Sequence, residues 1–196
     1  MVSARTGALL LLDANDPPTF PDPTQFDAQG LLAVGGDLSV ERLLAAYRAG
    51  IFPWYNEGMP ILWWSPDPRA VLTEQSLHVS RSLRRELRRE DLSITWDKAF
   101  AQVLDGCASN RPGGTWLLPE MKHAYTTLHE LGHAHSIEVW HQGRLVAGLY
   151  GVLCGAVFAA ESMFHTLTNA SKVALVHAVT RLTRSGVELV EVQFLT

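Results

Sequence analysis

The sequence predicts an α+β fold, and three observations predict it. Apolar residues recur mostly at helical spacing up to about residue 131, the period then drops to two through residue 162, and one further helix and strand follow. Short period-two segments joined by turns pair as an antiparallel meander. The chain has 196 residues, 47% of them hydrophobic, enough for one generous domain or two unequal ones around a buried core.

Taken in order, the apolar run Ala8 to Leu12 is followed by Asp13 and prolines, so it is far too short to span a membrane and lacks a secretory cleavage site. Residues 13–30 are rich in Asp, Pro and Asn and read as irregular. Ser39 is a good N-cap for a helix carrying Leu43, Leu44 and Tyr47, stopped by Gly50. From Gly50 to Arg69 prolines and aromatics crowd a stretch that no regular helix tolerates, which makes it the natural seam between a small N-terminal part and a larger C-terminal one. Ser80 caps a second helix to about Glu90, and Trp96 to Cys107 and Pro119 to Leu131 are predicted helices, the last ended by Gly132. His135 to Trp140, Leu145 to Tyr150 and Ala156 to Ser162 alternate as strands, the first two joined as a hairpin through His141-Gln-Gly-Arg144. A helix from about Ala170 to Arg184, capped near Asn169, leads to a last strand, Val187 to Phe194.

A net charge of -4 argues against nucleic acid as a partner, but the distribution reverses that inference. Five of the thirteen arginines, Arg81, Arg84, Arg85, Arg88 and Arg89, fall within nine residues. On a helix they occupy an arc of roughly 140°, with Leu83 and Leu87 opposite. Such a face is either simply solvated or a footprint for a polyanion, which would relieve the i,i+4 repulsion of Arg81/Arg85, Arg84/Arg88 and Arg85/Arg89. Two cysteines, Cys107 and Cys154, with no framework spacing fit a reducing, cytoplasmic compartment.

His129-Glu-Leu-Gly-His133 satisfies the H-E-x-x-H pattern of zinc proteases. That chemistry needs both histidines on one face of a continuing helix, and Gly132 stands between them, so the second histidine is expected to leave the helix axis. Cys154, in an apolar strand, reads as core rather than nucleophile. Glu191 and Gln193 lie two apart on the last predicted strand and share a face, with Val190, Val192 and Phe194 on the other. With Glu161 at the end of another strand, this is either the solvated side of a sheet or two carboxylates and an amide able to orient an amine and relay its proton. Most of Trp54, Trp63, Trp64 and Trp116 belong to the core, while Trp54 and Trp116 are the candidates for stacking on a base.

The blocks Gly30-Leu-Leu-Ala-Val-Gly-Gly-Asp-Leu-Ser39, Tyr47-Arg-Ala-Gly-Ile-Phe-Pro-Trp-Tyr55, Ile61-Leu-Trp-Trp-Ser-Pro-Asp-Pro-Arg69, Gly114-Thr-Trp116, His129-Glu-Leu-Gly-His-Ala-His-Ser136, Glu161-Ser-Met-Phe164 and Ala170-Ser-Lys172 resemble the leucyl/phenylalanyl-tRNA-protein transferase family, in the family's order from residue 30 almost to the end. The resemblance implies a small N-terminal domain, 1–68, and an acetyltransferase-like (GNAT) catalytic domain, 69–196, with a mainly antiparallel sheet. It implies transfer of Leu or Phe, less readily Met, from aminoacyl-tRNA to proteins with N-terminal Arg or Lys, with no metal, cofactor or membrane involved, by an enzyme expected to be a monomer. By position Glu191 and Gln193 match the family's catalytic acid-x-Gln pair and Glu161 the glutamate that holds the glutamine. Trp54, Trp116 and Tyr125 match aromatics around the terminal adenosine and aminoacyl group, Met163, beside Ser162, matches part of the apolar side-chain pocket, and the five arginines are the expected tRNA contact. Three departures stand out: Glu191 replaces the usual Asp, Ala160 replaces the usual Gly, and the sequence stops at Thr196 without the His-x-Ala-Ser-Leu-Gly-Ala-like end common in the family. The alternatives are a small-molecule N-acetyltransferase, for which a Q/R-x-x-G-x-G/A pyrophosphate loop is missing, and a tRNA-binding module without transfer.

Overall fold

A computed structural model describes residues 7–26, 29–109 and 114–192. The N-terminal stretch builds a sheet that the sequence pattern did not announce. Its strands are β1 (Leu10–Leu12), β2 (Leu31–Gly35), β3 (Phe52–Pro53) and β4 (Leu62–Trp64), in the order β1-β2-β4-β3, with β1 parallel to β2 and the other pairs antiparallel. Helix α1 (Val40–Arg48) joins β2 to β3 and starts where expected, with Ser39 Oγ accepting the Arg42 N–H.

The irregular residues before β2 are organised by one buried cation. Arg42 is only 1% exposed, and its guanidinium donates to the carbonyls of Asp13, Asp16 and Pro17 and to Asp37 Oδ2. A segment too polar to build its own core thus gains a fixed path from charge-assisted bonds to one buried guanidinium.

The second sheet has six strands: β5 (Val71–Leu72), β6 (Leu92–Trp96), β7 (Ala134–His141), β8 (Arg144–Cys154), β9 (Val157–His165) and β10 (Leu189–Glu191), in the order β5-β10-β9-β8-β7-β6. The meander β6 to β9 is antiparallel throughout, while β10 runs parallel to β9 and antiparallel to β5. This is a mixed α+β fold with antiparallel-rich sheets. Helices α3 (Phe100–Ala108) and α4 (Pro119–Glu130) cover one face and α5 (Ala170–Arg184) the other. Strand alternation decides which side chain meets which layer: Phe158 and Ala160 join the α5 core with Val173, Ala174 and Val179, whereas Ala159 joins the opposite core with Leu104, Tyr125 and Val152. That second core continues into Leu32, Leu43, Phe52 and Trp63, so the small sheet and the large one share buried contacts across residue 68.

Two boundaries differ from expectation. The arginine-rich helix α2 spans Arg81–Glu86 rather than reaching Glu90, because Arg89 folds back onto Glu86 (3.1 Å) and Asp91 (2.7 Å) as the chain turns into β6. Trp96, read as helical, ends β6 instead, and Asp97 turns the chain with φ 55°. Helix α3 then begins without a cap of its own. The buried Glu138 carboxylate on β7 accepts the N–H groups of Lys98 and Ala99 and the Thr95 and Ser136 hydroxyls, so a neighbouring strand does the capping. Among the described residues no helix is long and apolar enough to cross a membrane.

Replacing Arg42 by Met should remove four guanidinium hydrogen bonds, to the Asp13, Asp16 and Pro17 carbonyls and to Asp37. The expected loss is about 2–3 kcal/mol, read as a lower urea midpoint with an unchanged slope.

Candidate active site

Glu161 owes its position to a β-bulge. The β8–β9 ladder pairs Tyr150 with Ser162 and Gly151 with Ala160, leaving Glu161 as the extra residue on β9. The irregularity re-aims its side chain, which is 8% exposed, into the α4 layer, where its carboxylate accepts the Tyr125 hydroxyl at 2.9 Å. Gly151 permits this local shape, since a Cβ there would lie 2.3 Å from the Ala159 carbonyl oxygen.

Tyr125 is fully buried on α4 and lies 2.8 Å from the Tyr47 hydroxyl of α1. Because Tyr125 spends its proton on Glu161, Tyr47 donates to Tyr125, and a directed chain runs from α1 to the carboxylate. Burial, then the Glu161 charge, holds both phenols well above their ordinary range, so they stay protonated donors. Tyr150 packs edge-on against Tyr125 with centroids 5.3 Å apart.

Glu191 lies between two ladders on β10, opposite Val71 of β5 and Ala159 of β9. Its face is therefore the one Ala159 shares with the α3/α4 core, not a solvated side, and its partner is Arg69, which forms an ion pair with it. Burial pushes the Glu191 carboxyl up and Arg69 pulls it back. Arg69 in turn is lowered by burial, against the charges of Glu191 and Glu161. A cavity of about 10 Å³ beside this pair is lined by Tyr47, Gly50, Phe52, Cys154 and Ala159 among others, which puts Cys154 at the edge of the site rather than deep in a strand core. Gln193 lies outside the described residues.

The remaining candidates sit at varied depth. Trp54 is 39% exposed and stands edge-on to Trp64 at 6.0 Å. Trp116 is half-buried against the α3/α4 core, and its neighbours Thr115 and Leu117 line a cavity of about 820 Å³ with Asn56, Glu57, Pro119 and Lys122. Met163 is exposed at the rim of a cavity of about 370 Å³ lined also by Gly106, Cys107, Phe164 and His165, and Ser162 is half-buried opposite Tyr150. Arg81, Arg84, Arg85 and Arg88 are exposed, whereas Arg89 is engaged in ion pairs. Leu83 docks α2 into the α5 core, so these arginines lie in the layer opposite Glu161. The structure brings Glu161, Tyr125 and Glu191 to one face of the sheet. Sequence reasoning missed Arg69 and Tyr47 as partners, and the available signal was a single arginine closing a proline-aromatic run.

The histidine pattern resolves into structure. Helix α4 stops at Glu130, Gly132 takes φ 79°, and His129 stacks on Phe100 at 4.1 Å while bonding the Ala134 carbonyl at 2.8 Å. His135 pairs with Asp97 at 2.8 Å, and Asp97 also accepts the Ser136 N–H.

Fold and site together define a layered α+β protein with a buried carboxylate centre that tyrosine hydroxyls and one guanidinium orient, a constellation suited to binding and deprotonating an amine. The chain belongs to the leucyl/phenylalanyl-tRNA protein transferase family: residues 71–196 match the family's profile and residues 36–67 that of its N-terminal domain. It is 58% identical over 180 residues to the leucyl/phenylalanyl-tRNA–protein transferase of Syntrophobacter fumaroxidans, covering 90% of this chain and 77% of that one. The Escherichia coli O1:K1 protein of the same name is 53% identical over 178 residues, 90% of this chain and 76% of its own. Among solved structures, L-PGS from Bacillus licheniformis is 12% identical with a TM-score of 0.46, over 82% of this chain and 51% of that one.

Gly151→Ala should close the bulge, costing about 1–3 kcal/mol of stability and displacing Glu161; thermal unfolding and activity measured together check both effects. The Asp97–His135 pair predicts a pH window. Hydrogen bonding to Asp97 raises His135 above its ordinary 6.5, so its stabilisation is present below that value and fades as pH climbs through the higher folded-state value. Asp97, lowered by the His135 and Ser136 hydrogen bonds against burial, contributes above 3.8 and less as pH falls through its folded value. Asp97→Asn should flatten both limbs of the stability profile, which urea midpoints taken at several pH values will reveal.

Proposed function

We propose that this chain transfers leucine or phenylalanine, and less readily methionine, from aminoacyl-tRNA to the α-amine of proteins beginning with Arg or Lys, marking them for degradation by the N-degron pathway. The observation that carries this reading is the convergence of Glu161 and Glu191 on one buried face, with a tyrosine chain behind the first and a cation beside the second. The chain's membership in a family named for this transfer supports it further.

The chemistry is short. An aminoacyl ester is already activated, so the acceptor nitrogen attacks its carbonyl carbon, a C–N bond forms, and the C–O bond to the ribose breaks. The amine gives up a proton and the departing ribose oxygen takes one, so no net proton is consumed. Glu191 carries that proton, Gln193 aligns the amine or the ester carbonyl, and Glu161 holds Gln193. Tyr125 acts from beneath by fixing Glu161. Trp116, whose neighbours Thr115 and Leu117 line the 820 Å³ cavity, and the exposed Trp54 stack the terminal adenosine, while Met163 at the 370 Å³ cavity and the adjacent Ser162 receive the aminoacyl side chain.

Arg81, Arg84, Arg85 and Arg88 hold tRNA phosphates on the other layer, with Arg89 contributing once freed from Asp91. We divide the chain into 1–68 and an acetyltransferase-like 69–196; the change from one family profile, over residues 36–67, to the other, over 71–196, supports that boundary. The enzyme works as a cytoplasmic monomer without a cofactor.

Incubation with radiolabelled Leu-tRNA and a protein beginning with Arg should label that protein's N-terminus, and absence of label would overturn the reading. Gln193→Ala should lose turnover by about 100-fold or more, and full turnover would remove Gln193 from the mechanism. Charge reversal at Arg84 and Arg88 should raise KM for every tRNA tested alike, since phosphate contacts carry no sequence information.

A further inference from the structure

Two carboxylates, Glu161 and Glu191, lie below a tenth exposed in the same layer, and a buried anion is stable only with a partner. Glu161 has Tyr125. Glu191 has Arg69, which arrives from the loop before β5 rather than from its own strand.

That guanidinium is itself held at three points. Nη1 donates to the Gly50 carbonyl at 2.6 Å, Nη2 pairs with Glu191, and the planar group lies over the Phe52 ring, 5.2 Å from its centroid. Gly50 ends the turn after α1 with φ 70°, and a Cβ there would come within 3.2 Å of Nη1, so the turn leaves room for the arginine and little else. One planar fork therefore bridges the small sheet and the final strand, a task that the single ammonium of lysine cannot copy.

We propose that Arg69 is a positioning residue for aminoacyl transfer, fixing the direction and charge state of the Glu191 carboxylate and locking the last strand to the turn after α1. The inference rests on the catalytic role proposed for Glu191. The groups facing Glu191 are Arg69 from its loop, Tyr47 from α1, Cys154 from β8 and, farther along β9, Glu161. Arg69 is the cation among them, and without it burial acts on Glu191 unopposed.

The test compares wild-type enzyme with Arg69→Gln, Arg69→Lys and Glu191→Gln, measuring kcat, KM for Leu-tRNA and the pH dependence of transfer. Below pH 7 protonation of the acceptor amine alone gives a log rate rising with slope of about one, and protonation of Glu191 adds a second break at lower pH. Arg69→Gln should lower kcat by about tenfold or more with KM for Leu-tRNA nearly unchanged, and move the break up by about one pH unit or more. A merely structural role would change yield or Tm and leave the break in place. A folded Arg69→Gln protein with wild-type kcat and break would overturn the proposal. If that variant does not fold, Arg69→Lys decides: a reduced kcat supports the proposal, and a wild-type kcat and break contradict it. Glu191→Gln should abolish the break; full turnover with the break retained would instead defeat the role of Glu191, on which this inference stands.

Discussion

A carboxylate taken out of water must be met by donors or by a positive charge, and the architecture around this site follows from doing so twice within one layer. Glu161 is met by a hydroxyl chain that reaches back through α4 to α1, and Glu191 by a guanidinium anchored on the turn after α1. Both supports originate in, or lean on, the N-terminal sheet and its helix. The small sheet is thus part of the site, which explains why its core runs without interruption into that of the larger one.

The two supports have different chemical consequences. Hydroxyls held protonated by burial can orient Glu161 while adding no charge. A guanidinium opposes the effect of burial on Glu191. The Glu191 side chain reaches across the layer to Arg69.

Much of the larger fold was legible in the sequence because its elements are long and strongly periodic: α4, α5 and the β7–β9 meander each carry eight or more residues of one pattern. The small sheet was not, since two- and three-residue strands such as β3 and β4 leave no period to count. The overlong α2 failed to a local partner, Asp91 drawing Arg89 aside, and the helical reading of Trp96 to a long-range one, β7 pairing with β6. At the site, Glu161 and Glu191 stood out as carboxylates on strands, with a solvated sheet side as the rival reading. The bulge that turns Glu161 inward depends on the partner strand, and the Arg69 contact spans more than a hundred positions, so neither leaves a local trace. Gln193 lies beyond the described residues, and its place in the account comes from the sequence and the family.

On the function proposed for this chain, the carboxylate turned inward at the bulge organises the transfer itself and not merely the fold. Single-turnover transfer from Leu-tRNA to an Arg-initiated peptide by Glu161→Gln, run beside an equilibrium binding measurement of the same tRNA, tests it most directly. A rate reduced by about 100-fold or more with tRNA affinity preserved is the predicted result. An undiminished single-turnover rate in a folded Glu161→Gln protein would contradict it.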